Sequence, residues 1–268
     1  MNAPSPNPSS AEWLDSARRI LANISAEQPC RTPSVTCAVC AAPVAGYQRC
    51  YHRKNHHESD SSAYLADLVV SLAYAWEGQS QLGKDVYRYK RDQGQVAATA
   101  IGNLAALLFA FGGRHALCPE RLLGRPITAK TVMPSLRGNP GTILAQMGKR
   151  FLPPWPSIRV TATGNYGDHG RTLDPTHFRV DASAPGLGGH ILVLEDTWVT
   201  GGHSQALAVA LKHAGAAAVT VLPICRLLRS VELRSAGTSG DLRACTVGVA
   251  AAGNDTGGGL RGGVGQLG

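Results

Sequence analysis

Residues 191–204, ILVLEDTWVTGGHS, carry the clearest chemical pattern in the chain. Glu195 and Asp196 end a run of large apolar residues, which predicts a buried strand with two carboxylates at its carboxyl end. In an open α/β sheet this is the edge where ligands bind. Because carboxylates repel phosphate, the pair suits sugar hydroxyls or a nearby divalent cation.

The glycines that follow supply the second half of the pattern. Gly201 and Gly202 allow backbone N–H groups to approach an anion closely, and a helix that starts here directs its dipole at that anion. Thr200 and Ser204 add hydroxyl donors, and Ser204 is the expected cap of the helix. Sugar hydroxyls on one side and phosphate on the other describe a ribose 5-phosphate site. The alternative is an ordinary Gly-Gly turn after a strand.

A cysteine cluster is the second candidate site. Its expected metal ligands are Cys37, Cys40 and Cys50, with His52 or His56 as the fourth ligand. Zinc takes four such ligands in a tetrahedron, and the segment has too few large apolar residues to form a core without a staple. Arg53 stands where a second C-x-x-C pair would place its last cysteine. The sequence therefore predicts a structural zinc site, or else an incidental C-x-x-C in a flexible segment.

The elements around the glycine loop predict a βαβ unit. A strand at His190–Glu195, a helix that ends at Gly215 and a strand at Ala218–Leu222 follow one another. Strands joined in this way lie parallel, so an α/β domain with a parallel sheet flanked by helices is expected. The other expected strands are Asp67–Ala75, Thr131–Pro134, Ser157–Thr161 and Phe178–Val180. The other expected helices are Glu12–Ser25, Gln81–Lys90, Gln95–Phe111 and one that starts near Pro140.

Composition limits the class of protein. The 268 residues are 44% hydrophobic, which is enough apolar material for a sizeable core. No apolar run approaches the roughly 20 residues of a membrane span, and the N-terminus lacks a secretory pattern, so a cytoplasmic protein with reduced cysteines and no membrane partner is expected. The net charge of +8 suits nucleic acid or a phosphorylated small molecule.

Composition also divides the chain into four parts. Residues 1–29 are expected to form a flexible tail and a short helix, and residues 30–60 the Cys/His segment. The α/β domain is expected at 61–232, and a Gly-rich, disordered tail at 233–268.

EDTWVTGG, residues 195–202, resembles the phosphoribosyl pyrophosphate (PRPP) motif of type I phosphoribosyltransferases. The resemblance implies a type I phosphoribosyltransferase-like fold, with Glu195 and Asp196 on the ribose 2- and 3-hydroxyls. The phosphate-binding residues that it implies are Thr197, Thr200, Gly201, Gly202, His203 and Ser204. Val199 and His203 depart from the motif, and His203 would either donate to phosphate or obstruct the pocket.

The same resemblance implies the rest of a transferase site. A pyrophosphate loop is implied at Val132–Pro140, with Ser135 in its turn and Arg137 as its charge, and an ordinary Pro/Gly-rich connection is the alternative. Mg²⁺ would bridge pyrophosphate and ribose oxygens. A lid is implied at Thr163–Asp174, with Arg171 as its candidate charge.

A zinc ribbon ahead of such a domain resembles the competence protein F (ComF) family, over about Cys37 to Leu228. The resemblance implies transfer of phosphoribosyl between PRPP and a nitrogenous acceptor, with Mg²⁺ in the reaction and Zn²⁺ as a structural ion. A second function stays open: a non-catalytic protein that senses PRPP or a ribonucleotide, or that handles DNA, which the ribbon and the basic charge favour. No catalytic base is predicted, because stabilisation of the leaving group can drive this transfer.

Overall fold

A parallel sheet forms the centre of the molecule. The computed structural model describes residues 10–23, 31–135, 142–164 and 172–229. Strand β6 (His190–Trp198) pairs with β7 (Ala218–Leu228) on one side and with β3 (Ile127–Val132) on the other. β7 also pairs with β1 (Leu68–Val69) and β2 (Ala73–Trp76), and every pair in this sheet is parallel. The expected α/β class with a parallel sheet is thereby confirmed.

Strands β1 and β2 form one line along β7 that is interrupted in the middle. The register places Ser71 opposite Pro223. Proline has no N–H, so the ladder loses a donor at this point, although the Leu72 amide still donates to the Pro223 carbonyl at 3.1 Å. The single strand expected at Asp67–Ala75 is therefore wrong in extent. On the outer side of β1, the Arg31 guanidinium donates to the Val69 carbonyl.

Helices cover both faces of the sheet. Their bounds are α1 Ser10–Asn23, α2 Tyr51–His57, α3 Gln81–Arg91, α4 Gly94–Arg114, α5 Cys118–Leu123, α6 Thr142–Phe151 and α7 Gly202–His213. On β6, Leu192 and Leu194 belong to the hydrophobic cluster shared with α3, α4 and α6. Ile191 and Val193 face the other way, into the cluster shared with α7. A strand that is apolar on both faces in this way is typical of a covered parallel sheet.

Helix α4 is, among the described residues, the one helix long and apolar enough to cross a membrane by length and composition alone. Its 21 residues contain a window with a mean hydropathy of 1.7, which corrects the expectation that no apolar run approaches this length. Half of that window is buried inside the protein. Asn103 of α4 donates to the Asp85 carboxylate of α3 at 2.6 Å, and Gln81 donates to the other oxygen at 2.8 Å. α4 is thus packed as a core helix.

The remaining secondary-structure predictions are confirmed in kind and corrected in length. The helices at 81–91 and 94–114 match, as does β5 (Phe178–Val180). β4 (Val160–Ala162) pairs with β5 in a separate antiparallel sheet and starts later than expected. β3 starts four residues before Thr131, while β6 and β7 run past their predicted ends. The Gly-rich tail at 233–268 lies outside the described residues.

Candidate functional site

The glycine loop joins β6 to α7 at the carboxyl edge of the sheet. Gly201 is the N-cap of α7 and has a φ of 68°, a left-handed conformation that favours glycine. A Cβ at Gly201 would lie 2.2 Å from Cζ2 of Trp198, whose side chain is fully buried. Backbone and indole therefore meet so closely that no larger residue fits here.

Ser204 has a different role from the one expected. α7 begins at Gly202, so Ser204 lies in the first turn rather than at the cap, and its hydroxyl donates to Oε2 of Glu195. Thr200 and His203 are half-buried at the start of this helix. The N–H groups of the first turn of a helix have no acceptor within the helix and point out of its end, which is the arrangement that binds anions.

The two acidic residues are consecutive in β6, with Glu195 on the face that α7 covers and Asp196 on the face that α3 covers, and both are buried. Glu195 is 6% exposed and Asp196 is 8% exposed. Burial raises the pKa of Glu195 to about 8, although the hydrogen bond from Ser204 acts in the opposite direction. At neutral pH the Glu195 carboxyl therefore carries a proton for most of the time.

Two residues of α3 complete the surroundings of Asp196. The Tyr89 hydroxyl donates to Oδ2 of Asp196 at 2.7 Å, and Nζ of Lys90 lies 2.5 Å from the same oxygen. Burial, followed by the charge of Asp196, raises the pKa of Tyr89, so its hydroxyl stays a donor. The Lys90 side chain is 52% exposed and can therefore move toward a ligand. Asp196 is held by a buried phenol and a partly exposed cation.

Sequence reasoning missed Tyr89 and Lys90. A signal existed, because Leu82, Val86 and Tyr89 fall on one apolar stripe of α3, which buries the Tyr89 ring. A buried tyrosine hydroxyl needs a hydrogen-bond partner. A buried carboxylate such as Asp196 is the kind of acceptor that it would find.

The described start of the implied pyrophosphate loop, Val132 to Ser135, lies at the same sheet edge. Val132 pairs with Leu194, and the Met133 amide donates to the Leu194 carbonyl at 2.9 Å. Ser135 follows, half-buried, at the end of the described stretch. Arg137 and Arg171 lie outside the described residues. Thr197, still within β6, hydrogen bonds through its side chain to the buried Cys225 thiol.

The structure brings the three predicted cysteines together. The sulfur atoms of Cys37, Cys40 and Cys50 all lie within 4.8 Å of one another, and Cys40 and Cys50 are 3.8 Å apart. Tetrahedral zinc with Zn–S bonds of about 2.3 Å needs sulfur atoms about 3.8 Å apart.

None of the three cysteines forms a disulfide among the described residues. Hydrogen bonds with Cys40 and Cys50 lower the pKa of Cys37. Hydrogen bonds with Cys37 and Cys40, and then burial, raise the pKa of Cys50. The donor set therefore fits zinc or a similar metal ion.

Neither histidine belongs to this group of close ligand atoms within the described residues. Nδ1 of His56 is nevertheless buried and has no hydrogen-bond partner in the part of the chain that the structure describes. Burial, and then the charge of Arg53, lowers the pKa of His56 to about 3, which keeps the ring neutral, the form that ligates metal. The charge of Cys40 is among the influences on this pKa. His56 thus fits the fourth position better than His52, which contacts the Tyr51 ring.

The cysteine segment packs on the α/β domain. Cys37, Cys40 and Trp198 belong to one hydrophobic cluster. The Tyr74 hydroxyl of β2 donates to the Ala41 carbonyl beside Cys40 at 2.6 Å. The apolar support that this segment lacks in its own sequence therefore comes from the sheet and from α7.

Comparison with known proteins adds no relative: the chain matches no protein-family model and no curated protein.

Proposed function

We propose that this chain is a type I phosphoribosyltransferase-like protein that binds PRPP or ribose 5-phosphate at the carboxyl end of β6. The observation that supports it most is the arrangement of residues 195–204, in which two buried acidic residues of β6 and the N-terminus of α7 belong to one short stretch of the chain. A sugar phosphate needs a carboxylate for its hydroxyls and N–H groups for its phosphate, and here the two lie a few residues apart.

The two ends of residues 195–204 bind different parts of the sugar phosphate. The first turn of α7, from Gly202 to Ser204, takes the 5-phosphate through its N–H groups. Asp196 accepts from a ribose hydroxyl, with its carboxylate oriented by Tyr89. The protonated Glu195 both donates and accepts, and Ser204 holds it in place.

Transfer would require control of the leaving pyrophosphate. The bond from the anomeric carbon to pyrophosphate breaks as the nitrogen of the acceptor bonds to that carbon, and the bonding electrons leave with the pyrophosphate. Lys90, partly exposed and 2.5 Å from Asp196, is the described cation best placed to balance that charge. Mg²⁺, when bound, would supply further charge neutralisation on the phosphate oxygens. The proposed setting is a reducing cytoplasm, where the cysteines stay available for Zn²⁺.

A second candidate function is binding without transfer, as in a nucleotide sensor or a DNA-handling protein. One observation favours it: the Cys segment carries Tyr47 at 70% exposure and Tyr51 at 73% exposure, with the exposed Arg49 and Lys54 in the same stretch. Exposed aromatic rings interspersed with basic residues suit single-stranded nucleic acid, whose bases stack on the rings.

Calorimetry with ribose 5-phosphate and with PRPP plus Mg²⁺ tests the main proposal. Lys90→Gln is expected to weaken PRPP binding by about tenfold, because it removes one charge-assisted contact. Lys84→Gln is the matched control, since Lys84 is an exposed lysine of the same helix. Absence of binding of either ligand to the wild-type protein would reject the phosphoribosyl site.

Turnover separates the two candidates. Release of pyrophosphate from PRPP, measured against a panel of bases and amines, supports transfer. PRPP binding without pyrophosphate release, together with DNA binding that weakens with added salt, supports the second candidate.

A further inference from the structure

Arg53 connects the cysteine cluster with the glycine loop. It lies on α2, directly after the cluster, and its amide donates to the Cys50 carbonyl at 2.9 Å. Its side chain is almost fully buried, with 1% of the residue exposed. A buried arginine is rare unless negatively charged or hydrogen-bonding groups surround it. The position that a fourth ribbon cysteine would occupy therefore holds a long, charged side chain that reaches into the protein.

One nitrogen of the Arg53 guanidinium contacts the glycine loop. Nη2 donates to the Thr200 carbonyl, and the group lies 4.9 Å from the centre of the Trp198 ring. Trp198 is the side chain against which Gly201 packs. A shift of Arg53 would therefore move the indole and the peptide that together set the position of the first turn of α7.

The other two nitrogens of the guanidinium have no partner among the described residues. Nε and Nη1 are buried, and no described group accepts a hydrogen bond from either. Cys37 and Cys40 belong to the same hydrophobic cluster as Trp198, the ring that Arg53 contacts. The cysteine cluster, Arg53 and the loop are therefore packed against one another.

We infer that Arg53 is a positioning residue that couples metal occupancy of the Cys37–Cys40–Cys50 cluster to the conformation of loop 198–204. With metal bound, Cys50 is fixed at the start of α2, and its carbonyl, which accepts from the Arg53 amide, keeps Arg53 placed so that its side chain reaches Trp198 and Thr200. Without metal, Cys50 is no longer fixed, and the loop loses the support that Arg53 gives it. Coupling is reciprocal, so a ligand on the loop also strengthens metal binding. The coupling itself concerns this chain's own loop, and only its effect on ribose 5-phosphate rests on the proposed function.

Hydrogen exchange tests the coupling without a ligand. In the zinc-loaded wild type, removal of zinc with a chelator is expected to speed exchange of the amides of 198–204 by about tenfold, because it lowers the free energy of local opening. In Arg53→Met these amides exchange fast with or without zinc. Arg49→Met is the matched control, because Arg49 is exposed beside Cys50 and should leave the zinc response intact. Unchanged exchange of these amides after zinc removal from the wild type would overturn the inference.

Zinc affinity and ribose 5-phosphate affinity supply a second readout. Arg53→Met is expected to weaken zinc binding by about tenfold or more. Removal of zinc should weaken ribose 5-phosphate binding in the wild type and not in the variant. If Arg53→Met does not fold, Arg53→Lys replaces it, because lysine keeps the charge but cannot reproduce the planar fork of donors. Its zinc response is expected to be reduced, and a full wild-type response would overturn the inference.

The two proposals fail in different ways. A zinc response of 198–204 in a protein that binds no phosphoribosyl ligand would keep the coupling and reject the proposed function. Tight ribose 5-phosphate binding that is the same with and without zinc, together with unchanged exchange, would reject the coupling alone.

Discussion

The glycine loop and the cysteine cluster differ in how their polar groups are satisfied. Beside the loop, Glu195 of β6 accepts a hydrogen bond from Ser204, and Asp196 of β6 contacts Tyr89 and Lys90. In the cluster, Cys40 and Cys50 have a hydrogen-bond contact with each other. Two nitrogens of the Arg53 guanidinium, Nε and Nη1, have no hydrogen-bond partner among the described residues. The polar groups beside the loop have protein partners without a ligand, whereas the thiols of the cluster are groups that a bound ion would satisfy. Four predictions test this difference, the first three in order of expected effect.

Loss of metal is expected to have the largest effect. The reduced protein should contain about one zinc per chain, and Cys37→Ser should abolish zinc binding and destabilise the protein by several kcal/mol, because structural zinc contributes roughly 10 kcal/mol of binding free energy. Cys118→Ser is the control, since Cys118 is a free cysteine outside the cluster. Elemental analysis and thermal unfolding measure both effects. Reduced wild-type protein with no bound metal would show that the cluster is complete without an ion.

Gly201→Ala tests how tightly the loop is built. The new Cβ would lie 2.2 Å from the buried Trp198 ring at a φ of 68°, so we expect loss of ribose 5-phosphate binding and destabilisation of about 2 kcal/mol or more. Gly215→Ala is the matched control at the other end of α7, where φ is 112° and a Cβ meets nothing within 4 Å. Calorimetry and thermal unfolding compare the two. Equal losses would mean that backbone strain, rather than contact with Trp198, sets the cost.

The two acidic residues should respond differently to neutralisation. Asp196→Asn removes a carboxylate that two donors hold, and it should weaken ribose 5-phosphate binding by more than tenfold. Glu195→Gln should change binding at pH 7 by less than about threefold, because glutamine resembles the protonated acid that burial favours. Calorimetry at pH 7 decides this. Equal losses for both variants would mean that Glu195 acts as a carboxylate in the complex.

The last prediction concerns the dependence of stability on pH. Folding raises the pKa of Glu195 from an ordinary 4.5 to about 8, so the folded state holds this proton more tightly than the unfolded state. The contribution to the free energy of unfolding is fully present below about 4.5 and is lost as pH rises through about 8. Denaturant titrations should show that Glu195→Gln loses less stability than the wild type across this range. Parallel pH profiles would contradict a protonated Glu195.

The glycine loop could be predicted from the sequence to the extent that its residues are contiguous in the chain. The loop is one contiguous stretch, so the order of strand, carboxylates, glycines and helix already describes its geometry, and the structure confirms that order. The sequence could not show that Ser204 would turn to Glu195, because that choice depends on the exact start of α7. Tyr89 and Lys90 were missed because they reach Asp196 only through the packing of α3 on the sheet.

The cysteine cluster was predictable in composition but not in context. Spacing identified Cys37, Cys40 and Cys50, and the structure groups them. Spacing could not reveal that Arg53, read as a missing ligand, would extend to Thr200 on a loop almost 150 positions later in the chain. Contacts over such separations depend on the whole fold, which local patterns do not encode.

The break between β1 and β2 has a consequence for how copies of this protein behave together. An unbroken, flat edge strand would offer a row of free backbone groups to a strand from another chain, which is a route to aggregation. Here the edge consists of a piece of two residues and a piece of four, separated opposite Pro223. The positive charge of Arg31 occupies the outer carbonyl of Val69. Pro223 and Arg31 together make this edge a poor template for the addition of a further strand.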